Sequence, residues 1–302
     1  MMKRRILLSI IMAVFSAGLL SILFLSNKAT SKSTIDPIFQ KIKGIRMVNN
    51  LEFANENIPI HLPDVAERLE RELLVSVYHH SSTLIQLKLA NRFLPIVDKI
   101  FKEEGLPKDL KYIAVAESSL RNAISPAGAK GIWQFRDATA TELGLVINDY
   151  VDERNHFEKS TRAAAKYLKN LFLKFNSWSL VCAAYNMGPT ALTSAMKEQE
   201  EQNYFDLNLN EETNRYLFRL IAIKAVMEDP ETFGYFLDKE DYYPDLIDYT
   251  TITVDSSITS LSNFAHLSGI SYRELKIYNP WLMKSSLINK SKVTFEIRIP
   301  NK

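Results

Sequence analysis

The stretch that decides the fold is LKYIAVAESSLRNAISPAGAKGIWQF, residues 110–135. One face of an α-helix is formed by residues spaced i, i+3, i+4 and i+7, and here these are Leu110, Ile113, Ala114 and Glu117. The remaining faces of this helix are also largely apolar. The pattern therefore predicts a buried helix that ends in a glutamate, pointing toward the core or into a cleft cut into it.

Glu117 stands at the C-terminal end of this predicted helix. The negative end of the helix dipole disfavours an ionised carboxylate there, and burial acts in the same direction. Together they predict a carboxyl pKa raised by about one to a few units. A carboxyl group that stays protonated near neutral pH is suited to general acid catalysis. The alternative is a glutamate that accepts hydrogen bonds from backbone or arginine groups and only holds loops together.

The loop that follows is rich in Ser, Asn, Pro and Gly, and residues 118–136 contain no Asp or Glu. Gly128 and Gly131 allow backbone segments to approach one another closely. With Gln134 at its end, the loop predicts a cleft wall that presents amide groups to a polar ligand.

The composition excludes several classes of protein. The chain has 302 residues, 46% of them hydrophobic, and its 37 Lys and Arg against 35 Asp and Glu leave a net charge of +2 without a basic block, so we expect no nucleic-acid partner. The lone Cys182 lies in an apolar run and predicts core packing rather than a nucleophile. None of the five histidines has metal-ligand spacing, so we expect no metal and no cofactor.

The N-terminal sequence indicates export. Lys3, Arg4 and Arg5 precede an uncharged run over residues 6–25, which has the length of about 20 residues that a membrane-spanning helix needs. We expect an uncleaved signal-anchor that holds the chain at the inner membrane, with a cleaved signal peptide as the alternative. Either reading places the remaining chain in the cell envelope, membrane-anchored or periplasmic.

Helical periodicity dominates residues 64–224. Asp64 is expected to cap one helix, Ser160 and Thr161 another, and a short apolar helix from Ser179 is expected to end at Gly188 and Pro189. A further helix is predicted over residues 213–227, with almost no strand signal up to that point. The tail then reads as a strand over 249–254, helices over 258–268 and 272–278, and a strand over 295–300, which is a β-α-α-β unit.

Three separated motifs occur in order: Glu117-Ser118, then SPAGAKGIWQ over residues 125–134, then AAYNMGP over residues 183–189. They resemble the signature of the lytic transglycosylases with a goose-lysozyme-like domain, over a motif core of residues 94–230. DER at 152–154 and ETNRY at 212–216 are similar to the membrane-bound type D branch.

The resemblance implies cleavage of the β-1,4 bond between N-acetylmuramic acid and N-acetylglucosamine in peptidoglycan glycan strands, with a 1,6-anhydro product. It implies that Glu117 acts first as the acid and then as the base. It also implies a substrate-binding set: Ser125, Gln134, Tyr185, Asn186, Glu212 and Tyr216. Trp133 is open between core packing and sugar stacking, and Asp152 and Arg154 are interpreted as a structural ion pair or cap.

The tail resembles a LysM module, a type of module that binds N-acetylglucosamine-containing glycans. Asp255, Ser256 and Ser257 replace the usual opening Gly-Asp-Thr, so glycan binding and a packing role both stay open. The predicted fold is mainly α: a signal-anchor and linker over 1–36, a lysozyme-like α-helical catalytic domain over 37–246, and a small α+β (βααβ) LysM-like module over 247–302. Two other functions stay open: a lysozyme-type muramidase that uses water, and a non-catalytic peptidoglycan-binding protein. Which protein partners the chain has is unknown from the sequence.

Overall fold

The computed structural model describes residues 43–45 and 51–301. A two-stranded antiparallel hairpin and eight α-helices precede the C-terminal module in this part of the chain. They are β1 (Leu51–Phe53), β2 (Glu56–Ile58), α1 (Pro63–Tyr78), α2 (His80–Glu103), α3 (Tyr112–Ser118), α4 (Asp137–Glu142), α5 (Phe157–Phe175), α6 (Trp178–Met187), α7 (Pro189–Gln199) and α8 (Glu211–Glu228).

The quoted stretch folds as a short buried helix followed by a tight loop. A 3₁₀ turn at Lys108–Lys111 leads into α3, and Leu110, Ile113 and Ala114 have no exposed surface. The helix ends because Ser119 and Leu120 both take left-handed backbone angles, with φ of 52° and 58°. The predicted buried helix with a glutamate at its end is confirmed.

Helix α8 lies at the centre of the helical part. It packs against α1, α3 and α6, and its buried residues include Leu217, Phe218 and Ile221. Residues on several faces of α8 are buried, which is typical of a helix surrounded by other helices. It therefore supplies side chains to more than one neighbouring helix at once.

Two predicted helix caps are wrong. Helix α1 begins at Pro63 after Leu62, so Asp64 lies inside its first turn, where it pairs with Arg68. Helix α5 begins at Phe157, so Ser160 and Thr161 lie inside its first turn and donate to the Phe157 carbonyl. Proline and a capping histidine start these helices earlier than the polar residues indicated.

Three elements were not predicted from the sequence: the β1–β2 hairpin, helix α4 and helix α7. The β1–β2 hairpin turns through Ala54 and Asn55, both left-handed, and its strands of three residues are too short to show a period. Helix α7 begins at Pro189, the residue that also marks the end of α6. Proline is well suited to the first turn of a helix, so the same residue is both a stop signal and a start signal.

The C-terminal module has the predicted β-α-α-β order. It consists of β3 (Tyr249–Val254), α9 (Leu261–Leu267), α10 (Tyr272–Tyr278) and β4 (Phe295–Pro300). Strands β3 and β4 pair antiparallel, with Tyr249 opposite Pro300 and Val254 opposite Phe295. The predicted fold class, mainly α with a small α+β C-terminal module, is confirmed.

The module shares its core with the helical part. Val151, which precedes α5, is 1% exposed within the apolar cluster formed by Leu275, Trp281 and Leu282. Asp152 donates its backbone N–H to the Trp281 carbonyl at 2.9 Å, and Met283 donates to the Tyr150 carbonyl at 2.8 Å. Residues from Ile45 onward thus form one compact unit, and the domain limits at 36 and 246 stay predictions.

No helix among residues 43–45 and 51–301 is long and apolar enough to cross a membrane. The apolar run at residues 6–25, the predicted signal-anchor, lies outside the described residues.

Candidate active site

Glu117 is the penultimate residue of α3 and forms its closest side-chain contact with α8. The Tyr216 hydroxyl donates a hydrogen bond to Glu117 Oε1 at 2.6 Å. Tyr216 is 1% exposed, whereas Glu117 keeps a partly exposed side chain. The carboxyl group is therefore held by a neutral, buried partner, and the residue itself stays partly exposed.

Burial raises the pKa of the Glu117 carboxyl above its ordinary value of 4.5, and the nearby negative charge of Glu212 acts in the same direction. The Tyr216 hydrogen bond and the positive charge of Arg219 oppose this rise but do not cancel it. The raised pKa expected from the sequence is thus found in the structure, with desolvation as its largest cause.

Tyr185 lies near the same carboxyl group. Its hydroxyl donates to the Trp133 carbonyl at 2.6 Å, and its ring packs against Phe135 and Tyr167 with centroids 6.2 and 5.6 Å away. Burial first, and then the charge of Glu117, raise the pKa of Tyr185 well above its ordinary value. Tyr185 is therefore a neutral phenol that connects α6 to the loop.

Asn186, the next residue, joins the end of α6 to the start of α8. Its Oδ1 accepts a hydrogen bond from Thr213 Oγ1 at 2.7 Å. Glu212, beside Thr213, has an exposed side chain that pairs with Arg219 at 2.8 Å. The structure places Asn186 and Glu212 at the junction of these helices, and their predicted roles in binding substrate stay predictions.

Ser125 and Gln134 both brace the loop after α3. Ser125 Oγ accepts from the Ala129 backbone N–H at 3.0 Å, which closes a small turn. The Gln134 side-chain amide donates to the carbonyls of Ala123 and Gly131 at 3.1 and 2.7 Å. These bonds use both amide hydrogens of Gln134, so its Oε1 is the atom available to a ligand.

A buried ion network holds this loop against the segment before α5. Asp152 accepts from Arg154 Nη2 at 2.7 Å and from Lys130 Nζ at 2.8 Å, and it also caps the Arg154 backbone N–H. At Gly131 a Cβ atom would lie 2.0 Å from the Arg154 carbonyl oxygen, and φ is +82°, so only glycine fits there. The structural interpretation of Asp152 and Arg154 is confirmed.

The structure decides the role of Trp133, which the sequence left open, and confirms core packing for Cys182. Trp133 has no exposed surface and donates Nε1–H to Thr161 Oγ1 at 3.0 Å, so it belongs to the core and cannot stack on a sugar. Cys182 is fully buried, and burial raises its thiol pKa, as core packing requires. Within the described part of the chain, no three His, Cys, Asp or Glu residues are grouped to hold a metal ion.

Sequence reasoning missed Glu72 and Arg219. Glu72 on α1 has no exposed surface and receives Arg215 Nε at 2.5 Å and Arg219 Nε at 3.6 Å. Arg219 lies three residues after Tyr216, on the neighbouring turn of α8, which is the only sequence signal for its place near Glu117. Glu72 carried no signal, because its surroundings form only in the folded chain.

Comparison with known protein families assigns both parts of the molecule. Residues 96–208 match the family model of the transglycosylase SLT domain, and residues 250–302 match that of the soluble lytic transglycosylase C-terminal LysM-like domain. The chain carries a transglycosylase SLT domain. The family predicted from the three motifs and the LysM likeness of the tail are therefore confirmed.

Several of the matched relatives are named as transglycosylases. The chain is 26% identical over 244 residues to membrane-bound lytic murein transglycosylase D of Escherichia coli K12, covering 78% of this chain and 52% of the relative. It is 36% identical over 145 residues to peptidoglycan transglycosylase gp16 of Escherichia phage T7, covering 46% of this chain and 11% of the relative. The chain thus spans about half the length of the first relative.

The solved structures that align include that of an inactive mutant of lytic transglycosylase Slt from Pseudomonas aeruginosa. The alignment has a TM-score of 0.38 and 20% identity, and it covers 50% of this chain and 26% of that chain. This TM-score is too low to support a shared fold by itself.

Proposed function

We propose that the chain is a peptidoglycan lytic transglycosylase that cleaves the β-1,4 bond between N-acetylmuramic acid and N-acetylglucosamine and leaves a 1,6-anhydromuramic acid end. The observation that carries the proposal is Glu117: a partly exposed residue whose carboxyl has a raised pKa and accepts a hydrogen bond from a neutral phenol. The SLT domain and its named relatives support the substrate class.

In the acid step, Glu117 gives its proton to the glycosidic oxygen of the leaving sugar. Because Oε1 accepts the Tyr216 hydroxyl, the proton of the neutral acid belongs on Oε2, the oxygen that would face the substrate. The bond between C1 of the muramic acid and the bridging oxygen then breaks. As negative charge develops on the carboxyl group, the Tyr216 hydrogen bond and the charge of Arg219 stabilise it.

In the second step, the Glu117 carboxylate removes the proton from the C6 hydroxyl of the same muramic acid, and that oxygen bonds to C1. This internal nucleophile replaces water and a second catalytic carboxylate, and a hydroxyl held on the same sugar has an intramolecular advantage. The absence of Asp and Glu from residues 118–136 fits a reaction with one carboxylate. Glu212 is close enough to raise the pKa of Glu117, but its own carboxylate is paired with Arg219.

The remaining predicted residues would position the sugars. Gln134 Oε1 can accept from a sugar hydroxyl or N-acetyl N–H, since its amide hydrogens already bind the loop. Ser125 keeps its hydroxyl hydrogen for the muramoyl sugar, because its oxygen only accepts from Ala129. Tyr185 and Asn186 would line the cleft beside the acid, and Glu212 and Tyr216 would close it from α8.

The LysM-like module and the N-terminus complete the proposal. We expect the enzyme to act in the cell envelope, with residues 6–25 as its attachment to the inner membrane and the module in contact with glycan. These expectations rest on the sequence and on the named membrane-bound relative.

Product analysis tests the reaction. Purified full-length protein in detergent should release muropeptides from sacculi with 1,6-anhydromuramic acid ends, which mass spectrometry separates from reducing ends by the mass of one water. Reducing ends would mean a lysozyme-type hydrolase on the same fold. No release at all, with glycan binding retained, would mean a non-catalytic binding protein.

A further inference from the structure

A cavity lies between α2, the loop after α3 and the C-terminal module. Its volume is about 270 Å³, slightly below the range of about 300–1,000 Å³ typical of small-molecule sites. Its walls combine aromatic and cationic side chains, notably Phe93, Tyr278, Trp281, Arg92, Lys276 and Arg298. Trp281 also belongs to the core of the C-terminal module, and the proposed chemistry at Glu117 uses none of these residues.

Two of the three cations form no ion pair within the described part of the chain, although the negative charge of Asp245 acts on Arg92. Arg92 Nε donates to the Pro244 carbonyl at 2.7 Å, and Lys276 Nζ donates to the Leu282 carbonyl. Neither of these two forms an ion pair with any residue within 43–45 or 51–301. Arg298 differs, because it pairs with Glu158 at 2.6 Å.

The excess of positive charge is partly desolvated. Burial lowers the pKa of both Arg92 and Lys276 below their ordinary values, which means that the surroundings disfavour the charged forms. His156, which also lines the cavity, is neutral because burial lowers its pKa to about 3. The wall therefore carries two cations that an entering anion would stabilise.

Another residue that lines the cavity, Asn155, has a free hydrogen-bond acceptor within the described part of the chain. Asn155 is 6% exposed, and its Oδ1 is a buried acceptor without a hydrogen-bond partner in the described part of the chain. Buried polar atoms of this kind are uncommon in folded proteins. A ligand with both carboxylates and N–H groups, together with apolar parts for the aromatic walls, matches this set, and a short acidic peptide has all three.

The cavity and the candidate active site share one loop. Asn122 and Ile132 line the cavity, and the next residue after each is bonded to the site. The Ala123 carbonyl accepts from Gln134, and the Trp133 carbonyl accepts from Tyr185. A group attached to a sugar in the cleft could therefore extend into the cavity across this loop.

We infer that this cavity binds the carboxylate-bearing peptide stem of a peptidoglycan strand whose sugars occupy the cleft beside Glu117. The inference rests on the proposed function, which names the strand. It assigns Arg92 and Lys276 to the stem carboxylates and makes them specificity-determining residues for strands that carry peptides.

Cleavage of matched substrates tests the assignment. Soluble glycan strands are used with their peptide stems and after an amidase has removed the stems. The Arg92→Gln and Lys276→Gln double variant of the full chain should lose about tenfold or more in kcat/KM on strands with stems. The reason is that it loses the charge-assisted hydrogen bonds between these two cations and the stem carboxylates. Its kcat/KM on stripped strands should not change, and the Arg92→Lys and Lys276→Arg double variant should recover cleavage of strands with stems.

The matched control removes two charges from the same helices. Lys102 on α2 and Arg273 on α10 are exposed and lie outside the cavity, so the Lys102→Gln and Arg273→Gln double variant should behave as the parent on both substrates. Equal losses on both substrates, or no loss on strands with stems, would overturn the inference.

A direct binding measurement distinguishes failure of the inference about the cavity from failure of the proposed reaction at Glu117. Calorimetry with acetyl-L-alanyl-D-glutamate should show binding to the parent, weaker binding to the Arg92→Gln and Lys276→Gln variant, and much weaker binding of the diamide of the same peptide. Glu117→Gln protein should bind the diacid as the parent does. If the diamide binds as well as the diacid, or if neither binds, the inference fails even when cleavage is observed. If the diacid binds and no strand is cleaved, the proposed reaction fails instead.

Discussion

Two glutamates on different helices contact neighbouring side chains of α8, and their partners differ in charge. On α1, Glu72 faces Arg215 and Arg219, whose Nε atoms lie 2.5 and 3.6 Å from its oxygens. On α3, Glu117 faces Tyr216, which follows Arg215 directly in sequence, at 2.6 Å. The first glutamate forms an ion pair within the helical core, and the second is a partly exposed residue with a carboxyl of raised pKa.

The difference teaches that burial alone does not make a general acid. At Glu72, two guanidinium groups of α8 lie within ion-pair distance of the carboxyl oxygens. At Glu117, the hydrogen bond from Tyr216 and the charge of Arg219 offset the effect of burial only in part, so the pKa stays raised. Helix α8 thus supplies an ion pair to α1 and a phenol hydrogen bond to α3.

The largest expected effect comes from replacing the acid itself. Glu117→Gln should lower kcat on sacculi by about 10²–10⁴-fold, because the amide cannot transfer a proton. The fold should be retained, since the oxygen of the new amide can still accept from Tyr216. Glu70→Gln on the exposed face of α1 is the matched control and should leave turnover unchanged. Release of soluble muropeptides measures both, and normal turnover by the Glu117→Gln variant would remove Glu117 from the mechanism.

Replacing Glu72, the glutamate that pairs with two arginines, should lower the stability of the fold. Glu72→Gln leaves Arg215 and Arg219 without their shared anion, and should lower the free energy of unfolding by about 2 kcal/mol. The two arginine side chains are 22% and 26% exposed, which limits the loss because water reaches them. Thermal unfolding should show a drop in Tm of about 4–8 °C. An unchanged Tm would show that the pair contributes nothing.

Removing the Tyr216 hydroxyl should shift the pKa of Glu117 and lower the activity without abolishing it. Tyr216→Phe should reduce kcat by about tenfold, because a hydrogen bond to the developing carboxylate is lost. The Tyr216 bond lowers the pKa of Glu117, so its loss should raise that pKa and move the alkaline limb of the pH–rate profile to higher pH. A shift of this limb to lower pH would contradict the assigned role of Tyr216.

The smallest expected effect is on the pH dependence of stability. The pKa of Glu117 is higher in the folded chain than its ordinary 4.5, so the folded state holds the proton more tightly. The free energy of unfolding should therefore fall as pH rises from about 4.5 through the folded pKa. Glu117→Gln cannot ionise, so its stability relative to the parent should be greater at pH 8 than at pH 4. Denaturant titrations at the two pH values measure this difference, and equal relative stabilities would argue against a raised pKa.

The sequence predicted the elements whose signals are local. The buried helix ending at Glu117 follows from its apolar faces, and the strands at 249–254 and 295–300 and the helix at 272–278 have the observed bounds. Ser125, Gln134, Tyr185 and Tyr216 could be singled out because they lie in motifs. The hairpin at 51–58 and the first residues of α1 and α5 were missed or misplaced, because three-residue strands and competing cap residues give weak signals.

The sequence could not predict the contacts that only the folded chain creates. The partner of Glu117 lies 99 residues away on α8, and the arginines of Glu72 lie more than 140 residues away. Val151 gave no sign that it would enter the core of the C-terminal module. In each case, packing between distant segments of the chain brings together residues that share no local sequence pattern.

The central claim is that Glu117 holds its proton at a pH where an ordinary glutamate has lost it. Nuclear magnetic resonance titration of ¹³Cδ-labelled glutamate, with the Glu117 signal assigned by its absence from Glu117→Gln protein, measures this directly. The account predicts that this carboxyl carbon titrates above 4.5, and that Tyr216→Phe raises its midpoint further. A midpoint at or below 4.5 would contradict the account.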